Sequence, residues 1–170
     1  MVSAWDVVRA EFSDIADVGQ IVIVLVRLTL AAVLGALLGY QREAVGSAAG
    51  LRTHILVSLG SAIFVLVPLQ AGMALGDLSR VLQGLLAGIG FLGAGAVLKR
   101  SDNDEIMGLT TAANIWVTAA IGMAIGMGRE TTALVSTGFA LIVLEVLGRL
   151  PIERRRGTEN RRAHPEQKLP

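Results

Sequence analysis

The chain has 170 residues, 53% of them hydrophobic and 17% charged, with a mean hydropathy of +0.63; this composition excludes an ordinary water-soluble domain and predicts a membrane protein. A net charge of +1 gives no basis for a nucleic-acid partner, and the lack of cysteine excludes disulfides, thiolate catalysis and soft-metal sites. With 20 glycines and 4% aromatic residues, contacts between helices are expected to rest on small side chains that let backbones approach.

Residues 1–19 form an acidic leader in which Trp5, Val8, Phe12 and Ile15 recur at three- and four-residue spacing. The spacing predicts a short amphipathic helix lying on the outer membrane surface. The leader lacks the basic start and small-residue cleavage site of a signal peptide, so it is expected to stay attached. Five apolar runs follow, near 20–40, 54–75, 81–98, 108–127 and 131–149. Each is close to the roughly 20 residues that cross a hydrocarbon core of about 30 Å. Their connections are too short to hold a second domain, so residues 20–150 are read as one compact all-α bundle of about five transmembrane helices. Residues 151–170 are arginine-rich, polar and proline-containing, the composition of a disordered tail.

Assigning the loops alternately places Arg9, Arg80 and Arg129 on one side of the membrane. The other side receives Arg42, Arg52, Lys99, Arg100, Arg149, Arg154, Arg155, Arg156, Arg161, Arg162 and Lys168, eleven basic residues against three. The positive-inside rule makes the second side cytoplasmic, with the N-terminus outside and the C-terminus inside a bacterial plasma membrane.

In the first span Arg27, Ala31, Gly35, Gly39 and Glu43 stand four apart and trace one stripe along the helix. A guanidinium facing lipid costs about 2.5–3.5 kcal/mol on insertion scales, so Arg27 is expected to point into the bundle, with Asp77 or Gln83 as its preferred partner. Gln41-Arg42-Glu43 and Ala49-Gly50-Leu51-Arg52-Thr53-His54 then meet at the cytoplasmic mouth between spans one and two. Arg42, Glu43, Arg52 and His54 there suit a gate or a docking surface for a partner or small anion, and equally an ordinary set of border ion pairs.

The third span holds Gly88, Gly90, Gly93 and Gly95 in a run that formally matches a dinucleotide-binding fingerprint. No strand precedes it, so that reading fails. Two uses stay open: close helix contact, as between Gly84 or Gly88 and a neighbour, or a helix break that presents backbone groups to a solute. In the fourth span Thr110, Asn114, Thr118, Gly122 and Gly126 form a polar-to-small stripe, read as interhelical glue or as a central site. Glu145, near the cytoplasmic end of the fifth, is expected to reach water or a basic neighbour.

Arg27-Leu28 leading to Gly39-Tyr40-Gln41-Arg42-Glu43, AGLRTH at 49–54, Asp77-Leu78-Ser79-Arg80 with Gln83, GIGFLGAG at 88–95, and Gly108-Leu109-Thr110-Thr111-Ala112-Ala113 with Trp116 resemble the MgtC/SapB family. The resemblance covers roughly residues 20–130. It implies an integral inner-membrane protein of a family associated with adaptation to low magnesium, intracellular virulence and, in some members, restraint of the F-type ATP synthase. Position 41 is glutamine where many relatives have glutamate, and position 78 is leucine where proline often follows the aspartate. The chain resembles the short, SapB-like form, in which no ACT-like domain follows the bundle. The motif residues carried over are Arg27, Arg42, Glu43, Arg52, Asp77, Arg80, Gln83, Asn114 and the glycines of 88–95.

Two functions are compatible with these residues. One is magnesium or ion homeostasis by binding or moving a small solute through the intramembrane polar groups. The other is regulation without transport, by binding another membrane protein such as the F-type ATP synthase or a transporter. Glu43, Asp77 and Glu145 lie at different predicted depths, so a dedicated magnesium cage is not expected and no metal ligands are assigned. The sequence carries no HExxH, GxSxG, Walker or cysteine-based site, which points away from an enzyme and from a bound cofactor. Glycine-rich faces left uncovered by a five-helix bundle suit a homodimer.

Overall fold

The computed structural model describes residues 3–13, 17–99 and 106–148. Ile15 of the leader, Arg100, Arg149 and the basic tail 151–170 lie outside the described residues. The leader helix α1 spans Ala4–Glu11 and starts with a reciprocal cap: the Ser3 hydroxyl accepts from the Asp6 backbone N–H while the Asp6 carboxylate accepts from that of Ser3. Its side chains are all exposed, Trp5 and Val8 among them.

Five longer helices follow: α2 Val18–Ala44, α3 Leu51–Gln70, α4 Leu75–Ala96, α5 Leu109–Gly126 and α6 Glu130–Ile142, which continues into a π-helical turn, Val143–Leu147. All five are long and apolar enough to cross a membrane. Their outer faces carry large exposed hydrophobics such as Leu25, Leu56, Phe64, Phe91 and Phe139. So wide an apolar surface belongs against lipid, not water. Helix α4 starts six residues before the predicted boundary at 81, because Asp77 in its first turn complements the helix dipole instead of marking a loop. A departure from a purely helical chain is the antiparallel pairing of β1, Leu98–Lys99, with β2, Ile106–Met107, at the base of the α4–α5 connection.

Helix α5 occupies the centre and packs on α2, α3, α4 and α6. It runs parallel to α3 and antiparallel to α2, as shown by the pairing of Gly122 with Ser58 and Gly126 with Ala62, and of Arg27 with Gly126 and Arg42 with Thr111. Two glycine seams clamp α3 from either side. A Cβ at Gly35 would lie 2.7 Å from the His54 carbonyl oxygen, and one at Gly39 would lie 2.7 Å from the Leu51 Cα. On the other side a Cβ at Gly122 would collide with the Ser58 carbonyl, and one at Gly126 would lie 2.5 Å from that of Ala62. Helix α3 answers with small buried residues, Ser58, Ser61 and Ala62, so three backbones meet without large side chains between them. Leu34, Leu38, Ile121 and Ile125 fill the flank toward α6, and Val57, Val65, Ile89, Ile115 and Met123 the flank toward α4.

The glycine run of α4 behaves differently from either reading of the sequence. The helix is continuous through 88–95, so no broken backbone is offered to a solute. At Gly84, Gly88, Gly90 and Gly95 an added Cβ would meet nothing within 4 Å, and only Gly93 touches a neighbour, with Ala112 and Trp116 both 3.7 Å from its Cβ position. Dense glycine permits close approach but does not supply the approaching helix.

Candidate functional site

The intramembrane polar groups separate into two sets at opposite ends of the bundle. The first is centred on Arg27. Its Nε donates to Glu130 Oε1 at 3.3 Å and its Nη1 to the Gly126 carbonyl at 3.1 Å. This corrects the expected pairing with Asp77 or Gln83: the partner is the acid that opens α6, brought to Arg27 by the tight α5–α6 turn. Gly128 makes the turn possible twice over, with φ at +74° and with no Cβ to strike the Arg27 guanidinium. The carboxylate at the start of α6 also complements that helix's dipole.

The second set lies where α2 ends and α3 and α5 begin. His54 is fully buried; its Nδ1 is 2.9 Å from the Gly50 carbonyl and its Nε2 2.9 Å from Asn114 Nδ2. A carbonyl only accepts, so Nδ1 carries the proton, and Nε2 is left to accept from the amide: the arrangement fits a neutral imidazole. Arg42 Nη2 reaches Thr111 Oγ1 at 3.5 Å, and the same hydroxyl is 2.8 Å from Ser47 Oγ. Arg42 Nε and Gln41 Oε1 are buried and have no hydrogen-bond partner. Glu43, next to Arg42 in sequence, accepts from the Leu51 backbone N–H at 2.8 Å. Helix α3 has Gly50 at its cap and no side chain of its own to serve there, so Glu43 caps it from α2.

Between the two sets the centre is mostly apolar, and of its polar groups the buried Ser58 hydroxyl has no hydrogen-bond partner among the described residues. Thr118 turns its hydroxyl back to the Asn114 carbonyl at 2.8 Å, and Thr137 does the same to Ala133. From Asn114 to Gly126 this closed stretch is about 18 Å long at ~1.5 Å per residue.

Of the residues singled out in the sequence, Arg42, Glu43 and Asn114 converge at this second set, with His54. Arg27 stands alone at the far end. Arg52, Asp77, Arg80 and Gln83 are exposed and join neither set. Thr110 is exposed, and Thr111, 4% exposed, takes the place expected for it at the head of the α5 stripe. Glu145 lies in the π-helical turn and is exposed. Ser47, Thr111 and Glu130 join the sites without belonging to the sequence patterns that point to them; Glu130 carries a signal in being the acid that follows the glycine turn at 128. Among the described residues no three of His, Asp and Glu group as metal ligands.

A model described as the MgtC family matches residues 28–152. The chain is 47% identical to SrpB of Synechococcus elongatus over 135 residues, 73% of this chain and 74% of that protein. It is 45% identical over 134 residues to YhiD of Escherichia coli, named provisionally as a magnesium transporter, covering 74% of this chain and 61% of the relative. Against SapB of Bacillus subtilis it is 34% identical over 131 residues, 73% of this chain and 56% of the relative. The chain thus spans somewhat over half the length of the last two. No solved structure matches it.

Proposed function

The chain belongs to the MgtC family, and from that premise we propose that it is a multi-pass inner-membrane protein of bacterial magnesium homeostasis that binds a small anionic solute at the Arg42 end and does not conduct a cation through its bundle. The orientation follows the charge asymmetry: this end faces the cytoplasm and the Arg27 end faces outward. The observation that carries the reading is Arg42 itself. Its guanidinium is partly buried with Nε unsatisfied, has no carboxylate at ion-pair distance among the described residues, and stands beside the hydroxyls of Ser47 and Thr111. A cation taken out of water in this way gains most from an anion that accepts several hydrogen bonds at once.

The same geometry argues against a cation route. A partly dehydrated Mg²⁺ needs oxygen ligands in octahedral array. Each polar end instead holds one arginine, and between the ends the helices meet closely at Gly35 and Gly122. Reconstituted into liposomes, the protein is expected to pass no Mg²⁺ above the background of empty vesicles. Inorganic phosphate is expected to raise the thermal unfolding midpoint of the detergent-solubilised protein, and the Arg42→Gln variant to lose that rise. Magnesium flux, or a phosphate response indifferent to Arg42, would defeat the proposal.

The second reading, a regulator that binds another membrane protein, is favoured by one observation: a face of α4 lined by Gly84 and Gly88 is left uncovered in a single chain.

A further inference from the structure

Along the outside of the bundle, between α3 and α4, runs a groove of about 770 Å³, within the roughly 300–1,000 Å³ of small-molecule sites. Its walls are apolar, with Leu56 and Phe64 from α3 and Leu85 and Leu92 from α4. The glycines Gly60, Gly84 and Gly88 leave its floor open, since a Cβ at any of them would meet nothing within 4 Å. Arg52 closes one end and Arg80 the other. Arg52 and Phe64 on α3, like Arg80 and Leu92 on α4, are twelve residues apart, so the groove is about 18 Å long at ~1.5 Å per residue. That is a little over half of a hydrocarbon core of about 30 Å, the reach of a chain from one leaflet.

The two arginines decide what kind of molecule fits. Neither has a carboxylate within ion-pair distance, the Arg27–Glu130 pair being the one found among the described residues. The Glu43 carboxylate accepts instead from the backbone N–H of Leu51, the residue before Arg52. A second copy related by a two-fold axis along the membrane normal would set Arg52 against Arg52 and Arg80 against Arg80, like charges at both ends. An amphiphile with one anionic head and an apolar tail matches both the charge and the greasy walls. Asp77 lies one turn from Arg80 beside the same outer recess and weakens the positive field there. Arg52 sits at the end that collects most of the chain's basic residues, where anionic lipid is attracted most strongly.

We propose that this groove holds an acyl chain of an anionic phospholipid whose phosphate is bound by Arg52. The site is separate from the Arg42 cluster and stands or falls independently of it. The test is native mass spectrometry of the detergent-solubilised full chain titrated with phosphatidylglycerol or phosphatidylcholine of identical acyl chains. The expected result is a roughly fivefold preference for phosphatidylglycerol, reduced to parity by Arg52→Gln, retained by Arg80→Gln, and not displaced by excess inorganic phosphate. Gly88→Leu, which projects into the groove, should reduce retention of both lipids, while Gly88→Ala keeps it. The assignment is overturned by equal binding of the two lipids, by a preference that survives Arg52→Gln, by displacement with phosphate alone, by full binding in Gly88→Leu, or by a dimer that occupies the face in place of lipid.

Discussion

Arg27 and His54 are the two side chains whose burial the sequence makes most costly, and each is answered by a different device. Arg27 and Glu130 are 24% and 38% exposed, so their pair lies between an exposed one, worth about 0–1 kcal/mol, and a fully buried one, whose rupture costs about 3–5 kcal/mol. Glu130→Gln is expected to cost about 1–2 kcal/mol, read as a lower midpoint in detergent unfolding. Arg27→Ala should cost no less, because it also frees the Gly126 carbonyl. For His54, Asn114→Leu removes the donor to a fully buried ring nitrogen. A loss of roughly 1–3 kcal/mol is expected, and Asn114→Gln should not restore it if the longer side chain cannot reach in the same space. That an arginine in the first span needs inward company was legible from hydropathy. Which acid supplies it was not, because the answer depends on α6 docking against α2, a contact 103 residues distant in sequence.

At the scale of elements, the same residue type serves opposite ends. Gly35, Gly39, Gly122 and Gly126 touch backbone of α3 directly, whereas Gly90 and Gly95 of α4 face open space. Gly122→Ala must therefore push α3 and α5 apart and is expected to destabilise the bundle by about 1–3 kcal/mol or more. Gly90→Ala, in the interior of a helix with nothing to strike, should stabilise by roughly 0.5–1 kcal/mol through helix propensity. Unfolding midpoints of the two variants moving in the same direction would contradict this division. The glycines of the four-residue stripes in spans one and four lie against α3, where a small face lets two backbones approach. The denser run of span three was misleading. Its composition says how closely a neighbour can approach, and nothing in the run itself says whether a neighbour is there.

For the molecule as a whole, the number and placement of the helices followed from apolar run length, because hydrocarbon leaves the backbone few alternatives. A charge does not mark a helix end at Asp77, which α4 absorbs in its first turn. What no linear pattern contained is which polar groups meet at each end of the close-packed seam, since Arg42 and Thr111, or Arg27 and Glu130, become neighbours only through the antiparallel pairing of α2 and α5 and the turn after α5. The natural absence of cysteine makes this arrangement directly accessible to measurement. Single-cysteine variants at Ala48, Ala74 and Thr118 in intact cells and inverted vesicles can be exposed to a membrane-impermeant thiol reagent. The account predicts labelling of the Ala48→Cys variant from the cytoplasmic side alone, of Ala74→Cys from the outside alone, and of Thr118→Cys from neither; a labelled Thr118→Cys would reveal a hydrated passage where a sealed bundle is claimed.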